Sequence, residues 1–215
     1  PATPAGAYVF ADGRGTDAIA GQLAGFSGIL QVDGYAAYKA LARGHVGTIQ
    51  LAFCLAHARR KFVEVYKTTS SPFAHEVIER LRAIYAIEAE IRGSSAEQRL
   101  AARRARTTPL MEALKARLTE MISQLFSQSK LTEAINYVLH HWEGLTLFLS
   151  DGRVEVDSNT VERSMRPIAM GRRNSLFSGS EGGAESWAIL SSIVNTAKLH
   201  ELDPQIYLTD VLERI

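Results

Sequence analysis

The first third of the chain alternates between short apolar runs and segments with helical spacing. Residues 28–33 form an apolar run that Gly34 closes with a turn, and residues 48–53 form a second run. Both runs predict buried strands, and residues 8–10, followed by an Asp-Gly turn signal, predict an earlier, shorter strand. Helices are predicted at residues 16–25, 35–42 and 55–66. Strands that alternate with helices indicate an α/β domain whose strands share one sheet.

The middle of the chain, residues 73–149, has helical periodicity. Apolar residues recur there at spacings of three and four, which places each set on one face of a helix. The three stripes are Val77, Ile78, Leu81, Ile84, Tyr85 and Ile91; Leu110, Leu114, Leu118, Met121, Ile122 and Leu125; and Leu131, Ile135, Val138, Leu139, Trp142 and Leu145. Ser94 and Glu97 predict a capping box at one helix start. The stripes indicate a packed helical core rather than a ligand-binding face.

The last part of the chain is mixed again. Asn159 predicts the start of a short helix that Pro167 ends, and residues 174–177 predict a strand. An amphipathic helix containing Trp187 follows, and Asp203-Pro204 predicts the start of a final helix.

Composition narrows the class of protein. The hydrophobic content of the 215 residues, 46%, is ordinary for a globular chain and argues against disorder. Apolar runs are interrupted within about ten positions, whereas a membrane span needs roughly 20, and we see no export signal. A single cysteine, Cys54, excludes an internal disulfide and fits a reducing cytoplasm. The chain begins with Pro1 rather than Met, which suggests a fragment or a processed start.

Basic residues are clustered although the net charge is only +1. Local clusters matter more than net charge for contacts with phosphates. The clusters that we expect to bind DNA are Arg59, Arg60 and Lys61, and Arg163, Arg166, Arg172 and Arg173. Solvated helix faces explain the same pattern, so both interpretations stay open.

Two carboxylates occupy positions suited to metal binding. Asp33 ends an apolar strand just before a glycine, at the sheet edge where functional groups of α/β proteins gather. A carboxylate there binds a divalent cation through oxygen, although a solvated turn aspartate has the same pattern. Glu162 lies three positions after Asn159, so an Asn-x-x-Glu capping box explains it as well as a catalytic role does. The two roles are compatible, because a side chain in a first helical turn is well held.

Cys54 and His57 have the two-residue gap of half a zinc site. No second Cys/His pair lies nearby in the sequence, and no third partner is identifiable for a Cys-His nucleophilic pair. We therefore expect Cys54 and His57, together with Asn159, to be structural residues near the site.

Several separated segments together resemble transposases of the insertion-sequence-66 family. The run 23–38, around Asp33, is similar to the family's second-aspartate region, and the run 157–167 is similar to its glutamate helix. The run 54–62 resembles a further signature, which usually has an aromatic residue where Leu55 stands. The other similar segments are 171–180, 196–199 and 203–204. The resemblance spans nearly the whole chain, with the motifs in the family's order.

The resemblance implies a ribonuclease-H-like fold, an α/β mixed sheet with a helical insertion. In those terms residues 1–67 form the first part of the catalytic core, residues 68–150 the insertion, and residues 151–215 the remainder with the glutamate helix. Asp33 would be the second aspartate and Glu162 the glutamate of an Asp-Asp-Glu site. The first aspartate belongs on a strand earlier than any in this chain.

The same resemblance implies the chemistry and the partners. Two Mg²⁺ (or Mn²⁺) ions, roughly 3.5–4 Å apart, would activate the attacking oxygen and stabilise the leaving oxygen at a DNA phosphodiester. Water would first cleave the transposon ends, and a 3′-hydroxyl would then attack target DNA. The complete enzyme is expected to act as a homo-oligomer, with accessory transposon-encoded proteins as further candidate partners and no membrane association.

Two other hypotheses stay open. The chain is either a non-catalytic DNA-binding or assembly remnant of a truncated transposase, or a different metal nuclease of the same fold. Asp12 is the nearest substitute for the first aspartate, but it follows the wrong strand, so we expect weak metal binding and negligible cleavage from these residues alone. If the active site is assigned correctly, the carboxylates of Asp33 and Glu162 lie on the order of 5–8 Å apart.

Overall fold

A computed structural model gives the fold of residues 4–13, 15–44, 48–125, 129–171 and 179–214. Two short strands, β1 (Gly28–Val32) and β2 (Ile49–Phe53), pair in parallel. The helices are α1 (Thr16–Gln22), α2 (Ala36–Gly44), α3 (Leu55–Thr69), α4 (Pro72–Glu90), α5 (Ala96–Ala102), α6 (Thr108–Ile122), α7 (Lys130–His140), α8 (Trp142–Leu145), α9 (Asn159–Gly171), α10 (Glu181–Leu199) and α11 (Pro204–Glu213). A π-helical turn, Arg103–Thr107, joins α5 to α6, and a 3-10 turn, Leu147–Leu149, follows α8.

The expected ribonuclease-H-like mixed sheet with a helical insertion is wrong for this chain. About 70% of the described residues are helical, and the sheet that they form has only two strands. Residues 8–10, predicted as a strand, are not part of that sheet. The strand predicted at residues 174–177 lies outside the described residues.

The extended segment 4–8 is bonded to a helix instead of to a strand. The Tyr8 N–H donates to Ser192 Oγ at 2.8 Å, and the Gly6 N–H donates to Thr196 Oγ1 at 3.1 Å. Residues four apart on α10 are about 6 Å apart along the helix axis, and alternate residues of an extended chain are roughly 6.4–6.8 Å apart. The spacing of Ser192 and Thr196 along the helix therefore nearly matches the spacing of Tyr8 and Gly6 along the extended chain. The two hydroxyls accept backbone hydrogen bonds that a neighbouring strand would otherwise accept.

The two strands that do form place Asp33 at one edge of the sheet. Val32 pairs with Phe53 at the carboxyl ends of the strands, and α2 lies on the connection between them. Gly34 then turns the chain with φ 94°, a left-handed conformation that glycine adopts without strain.

Residues 25–159 form a compact unit with a continuous apolar core. Helix α3 packs against α4 and α7, and α6 packs against both of these helices. All three predicted stripes contribute to the core, in which Leu139 and Trp142 are partly buried. The core also includes Leu55 and Phe62 of α3, so the helical segment 73–149 packs against α3 as well as on itself. The predicted three-part division of the chain stays a prediction.

The second compact unit combines residues 1–24 with residues 160–215. It contains α1, most of α9, α10 and α11, and α10 packs against α11. Pro167 lies inside α9 rather than ending it, contrary to expectation. Within the described part of this unit, Ile19 and Ala197 are the only buried side chains. Across both units, no helix of the described residues is long and apolar enough to cross a membrane.

Candidate functional site

Asp33 lies at the carboxyl end of β1 with an exposed side chain. Its Oδ1 atom accepts a hydrogen bond from the Tyr35 N–H at 3.0 Å, which ties the carboxylate to the turn at Gly34. Such a turn orients the carboxylate while its exposure keeps oxygen lone pairs accessible. Asp33 therefore fits the hard oxygen ligand that Mg²⁺ requires.

Side chains from α7 and the residue after it lie beside this turn. A Cβ atom on Gly34 would come within 3.0 Å of the Tyr137 hydroxyl. Burial, followed by the neighbouring acidic groups of Cys54 and Asp33, raises the pKa of Tyr137, so the phenol keeps its proton and remains a donor. The His141 ring lies one helical turn further along, with its centroid 4.5 Å from that of Tyr137.

Cys54 is fully buried at the end of β2 and contacts the segment that precedes α9. Its Sγ atom accepts a hydrogen bond from the Ser158 N–H at 3.3 Å. The Leu55 N–H donates to the Val156 carbonyl at 3.1 Å. These two bonds hold residues 156–158 against the start of α3.

Asp157 organises the last residues before α9. Its Oδ1 accepts the Asn159 N–H at 3.0 Å, and its Oδ2 accepts the Asn159 side-chain amide at 2.6 Å. The nearby Tyr85 hydroxyl is buried and has no well-formed hydrogen bond among the described residues. Burial, and then the charges of Asp157 and Cys54, raise the pKa of Tyr85 far above its usual range. Tyr85 is therefore a neutral phenol at any physiological pH.

Arg103 anchors the chain that leads into this region. It is fully buried in the π-helical turn, and its Nε and Nη2 atoms donate to the two oxygens of Glu88 at 2.8 and 2.7 Å. Its Nη1 atom donates to the carbonyls of Phe148 and Val154 at 3.1 and 2.8 Å. The bidentate pair and the two carbonyls together satisfy a charge that would otherwise be costly to bury. Arg103 thus ties the helical layer to residues 148–154.

Glu162 lies in the first turn of α9 with an exposed side chain. Arg163 and Arg166 are exposed on the same helix. Asp33 and Glu162 belong to different compact units, and their convergence stays a prediction. The predicted DNA-binding residues Arg172 and Arg173 lie outside the described residues.

Helix α3 carries the other predicted basic residues. Arg60 and Lys61 are exposed, whereas Arg59 is half-buried and its positive charge acts to lower the pKa of Tyr85, against the larger effects of burial. His57 is half-buried on the same helix. Contact between α3 and DNA stays a prediction.

Sequence reasoning missed Tyr137, His141 and Arg103. Tyr137 and His141 are four residues apart, a spacing that places them on one helix face, but nothing in the sequence indicates that this face meets Gly34. Arg103 belongs to a run of arginines that is typical of a solvated surface. Only the packing of its helix shows that it is buried.

Comparison with known proteins places the chain in a family. Residues 1–186 match the model of the transposase IS66 family, and residues 192–215 match the model of the IS66 C-terminal element. The uncharacterized proteins y4jD, y4qI and y4hP of Sinorhizobium fredii are 53%, 43% and 39% identical to this chain over 219, 217 and 228 residues. These alignments cover 100%, 99% and 100% of this chain but 43%, 40% and 41% of the relatives. No solved structure matches.

The chain thus spans about two fifths of the length of the curated relatives that it matches. Asp33 and Glu162 both lie within the first family match, which covers well over half of the residues. The second match covers the end of α10 and all of α11. The chain therefore belongs to the IS66 family of transposases.

Proposed function

We propose that this chain is the part of a DNA transposase that supplies two metal-binding carboxylates, Asp33 and Glu162. The reaction is hydrolysis of a phosphodiester at a transposon end, followed by strand transfer into target DNA. The observation that supports it most is the exposed carboxylate of Asp33 at the carboxyl end of a parallel strand pair, within the segment that matches the IS66 transposase model. On this proposal a third carboxylate comes from the rest of a longer parent polypeptide.

Asp33 and Glu162 suit Mg²⁺ or Mn²⁺, because both are hard cations that prefer carboxylate oxygens. When bound, two such ions activate the attacking oxygen and stabilise the leaving oxygen of the phosphodiester. The residues of the chain orient the ligands. Asp33 is fixed by its bond to the Tyr35 N–H, and Glu162 is held in a first helical turn. The neutral Tyr137 hydroxyl provides a hydrogen-bond donor close to the Gly34 turn.

The exposed arginines of α9 are proposed to contact the DNA backbone. Arg163 and Arg166 are close in sequence to Glu162, so phosphate contacts there would position the strand near that carboxylate. The same role is proposed for Arg172, Arg173, Arg59, Arg60 and Lys61. Each phosphate contact adds about 0.9 unit to the log–log salt dependence of binding.

The test is Mg²⁺-dependent cleavage of a labelled transposon end by the longer parent polypeptide. The substitutions Asp33→Asn and Glu162→Gln should each lower the rate at least about 100-fold, since a lost metal ligand removes several kcal/mol of transition-state stabilisation. Asp12→Asn, which changes an exposed aspartate of the same chain, should leave the rate unchanged.

Other results of the cleavage assay would each contradict or change a different part of the proposal. Cleavage that survives both Asp33→Asn and Glu162→Gln overturns the active-site assignment. Cleavage that is lost only in Asp12→Asn shows that the first carboxylate has been misplaced. Binding of transposon ends without cleavage supports a non-catalytic assembly role, and equal cutting of unrelated DNA supports a general nuclease.

A further inference from the structure

We infer that Lys39 and Lys61 form a phosphate-binding subsite for a DNA strand beside Asp33. The inference rests on the proposed function, because it concerns the strand on which Asp33 would act. The subsite belongs to a lysine–aromatic patch that consists of Lys39, Phe53, Lys61, Tyr137 and His141. All five residues lie within the unit formed by residues 25–159.

The patch is a connected set of rings with a cation at each end. Lys61 Nζ lies 4.5 Å from the centroid of the Tyr137 ring, and Lys39 Nζ lies 5.9 Å from that of Phe53. His141 joins the two rings, with centroid distances of 4.5 Å to Tyr137 and 4.8 Å, edge-on, to Phe53. A cation over a ring face is attracted by the ring quadrupole, so both ammonium groups are held without a carboxylate.

Among the described residues of the same unit, several arginines, unlike the two lysines, are paired with carboxylates. Arg103 is paired with Glu88, and Arg117 is paired with Glu76. In the part of the chain that the structure describes, Lys39 and Lys61 have no carboxylate within ion-pair distance. Neither ammonium group is therefore committed to an ion pair among these residues, and its three donors remain suited to phosphate oxygens.

The patch lies next to the turn that follows Asp33. The Tyr137 hydroxyl approaches the Cβ position of Gly34 to 3.0 Å, and Asp33 is close enough to raise the pKa of that phenol. Burial lowers the pKa of His141, its bond to the Tyr137 carbonyl opposes this, and the charges of Lys39, His140 and Lys61 lower it further. The positive charge of the patch at neutral pH therefore resides in the two lysines rather than in the histidine.

A DNA backbone is the anion that this location fits best. Asp33 and Lys61 are exposed and Lys39 is half-buried, and Phe53 of the patch ends β2 beside the carboxyl end of β1. A carboxylate beside the lysines repels a small free anion, whereas a polyanion is held by several phosphates at once. Lysines at this position would hold the strand close to the phosphodiester that Asp33 approaches.

The experiment measures binding of a short fluorescein-labelled DNA duplex to the full chain at several salt concentrations. The double variant Lys39→Gln/Lys61→Gln should reduce the steepness of log affinity against log salt concentration by about 1.8 units. Raising the salt from 50 to 200 mM should therefore weaken DNA binding by the variant about 12-fold less than it weakens binding by the wild type. The matched control is Lys67→Gln/Lys115→Gln, which has the same net charge. Lys115 also lies over an aromatic ring, that of Trp142, at 5.4 Å, so the control repeats the same kind of contact elsewhere.

A second measurement uses the wild-type chain and does not depend on the folding of a variant. DNA should slow acetylation of Lys39 and Lys61 several-fold and leave Lys67 and Lys115 unchanged. If the wild type binds DNA but both lysine pairs behave alike in slope and acetylation, the subsite is wrong and the proposed function stands. If the wild type does not bind DNA at all, the subsite and a DNA-binding role for this chain are both contradicted.

Discussion

The two compact units differ sharply in how many of their apolar side chains they bury. In residues 25–159 the helices bury them, and Phe62, Leu118 and Ile135 are each fully buried. In the other unit α10 and α11 also carry many apolar residues but expose large ones, as Trp187 at 56% and Ile206 at 72% exposure show. Since apolar burial is the main stabilising contribution to folding, the first unit should account for most of the measurable stability of this chain.

The second unit depends instead on hydrogen bonds. Its extended N-terminal segment is bonded to Ser192 and Thr196 on α10 and to His200 just after it. The Tyr8 hydroxyl donates to the Ser164 carbonyl of α9 at 2.7 Å. Such bonds each contribute about 1 kcal/mol net, less than a buried leucine does. Secondary structure alone therefore does not tell how stable a region is.

The largest effect is expected from Arg103→Ala in the first unit. Removing the guanidinium leaves Glu88 as an unpaired buried charge and takes one donor from each of the Phe148 and Val154 carbonyls, which should cost about 3–5 kcal/mol. Arg82→Ala, on the exposed face of α4, should change stability by no more than about 0.5 kcal/mol. Equal denaturant midpoints for the two variants would show that the buried pair is unimportant.

A pair of apolar truncations compares the two units directly. Leu118→Ala should lower the free energy of unfolding by about 2–5 kcal/mol, because Leu118 is fully buried in the core. Ile206→Ala should change it by about 0.5 kcal/mol or less, because most of that side chain is already in water. Thermal or urea unfolding of both variants measures the difference, and a similar loss in each would contradict the contrast between the units.

A smaller effect is expected where α10 holds the extended segment. Thr196→Val removes the hydroxyl that bonds Gly6 and should destabilise that local contact by about 1 kcal/mol. Hydrogen exchange at the Gly6 amide should then speed up roughly fivefold. Thr209→Val is the control, because that hydroxyl bonds only within α11. Unchanged exchange at Gly6 would mean that the segment is not held in this way.

The smallest effect is expected in the pH dependence of the free energy of unfolding, through Asp151. Hydrogen bonds from the Arg153 side chain, and then from its backbone, lower the pKa of Asp151 from 3.8 to about 2. A carboxyl whose pKa is lower in the folded than in the unfolded chain stabilises the fold at pH values above its unfolded-state pKa. This stabilisation is lost as the pH falls from about 4 to about 2. The stability advantage of the wild type over Asp151→Asn should shrink across that window, and a constant difference in acid unfolding would contradict the pairing.

The elements around Asp33 were predictable, whereas the sheet as a whole was not. The runs that became β1 and β2 are largely apolar and bounded by turn residues, so the local pattern was sufficient to place them, although only Val32, Ile49 and Ala52 of these strands are buried. Residues 8–10 have the same local pattern, but long-range bonds to α10 decide their structure. The predicted capping box was wrong by one position, since Ser95 and Gln98 form it.

Some residues of the candidate site were likewise predictable from the sequence, and others were not. Asp33 and Glu162 are visible in the sequence because each lies in a recognisable local context, at a strand end and in a first helical turn. Tyr137 and Arg103 are not, because their contacts include residues more than 40 positions away along the chain. Local chemistry can be inferred from neighbouring residues, whereas burial and cross-chain contacts depend on the fold.

The most direct test of the central claim is a crystal structure of the chain with Mn²⁺, in which anomalous scattering locates the metal. We expect one ion at about 2.0–2.1 Å from a carboxylate oxygen of Asp33 and one at the same distance from a carboxylate oxygen of Glu162, with the two carboxylates on the order of 5–8 Å apart. Carboxylates more than about 12 Å apart in an ordered structure, beyond the reach of one two-metal site, or metal bound elsewhere, would contradict it.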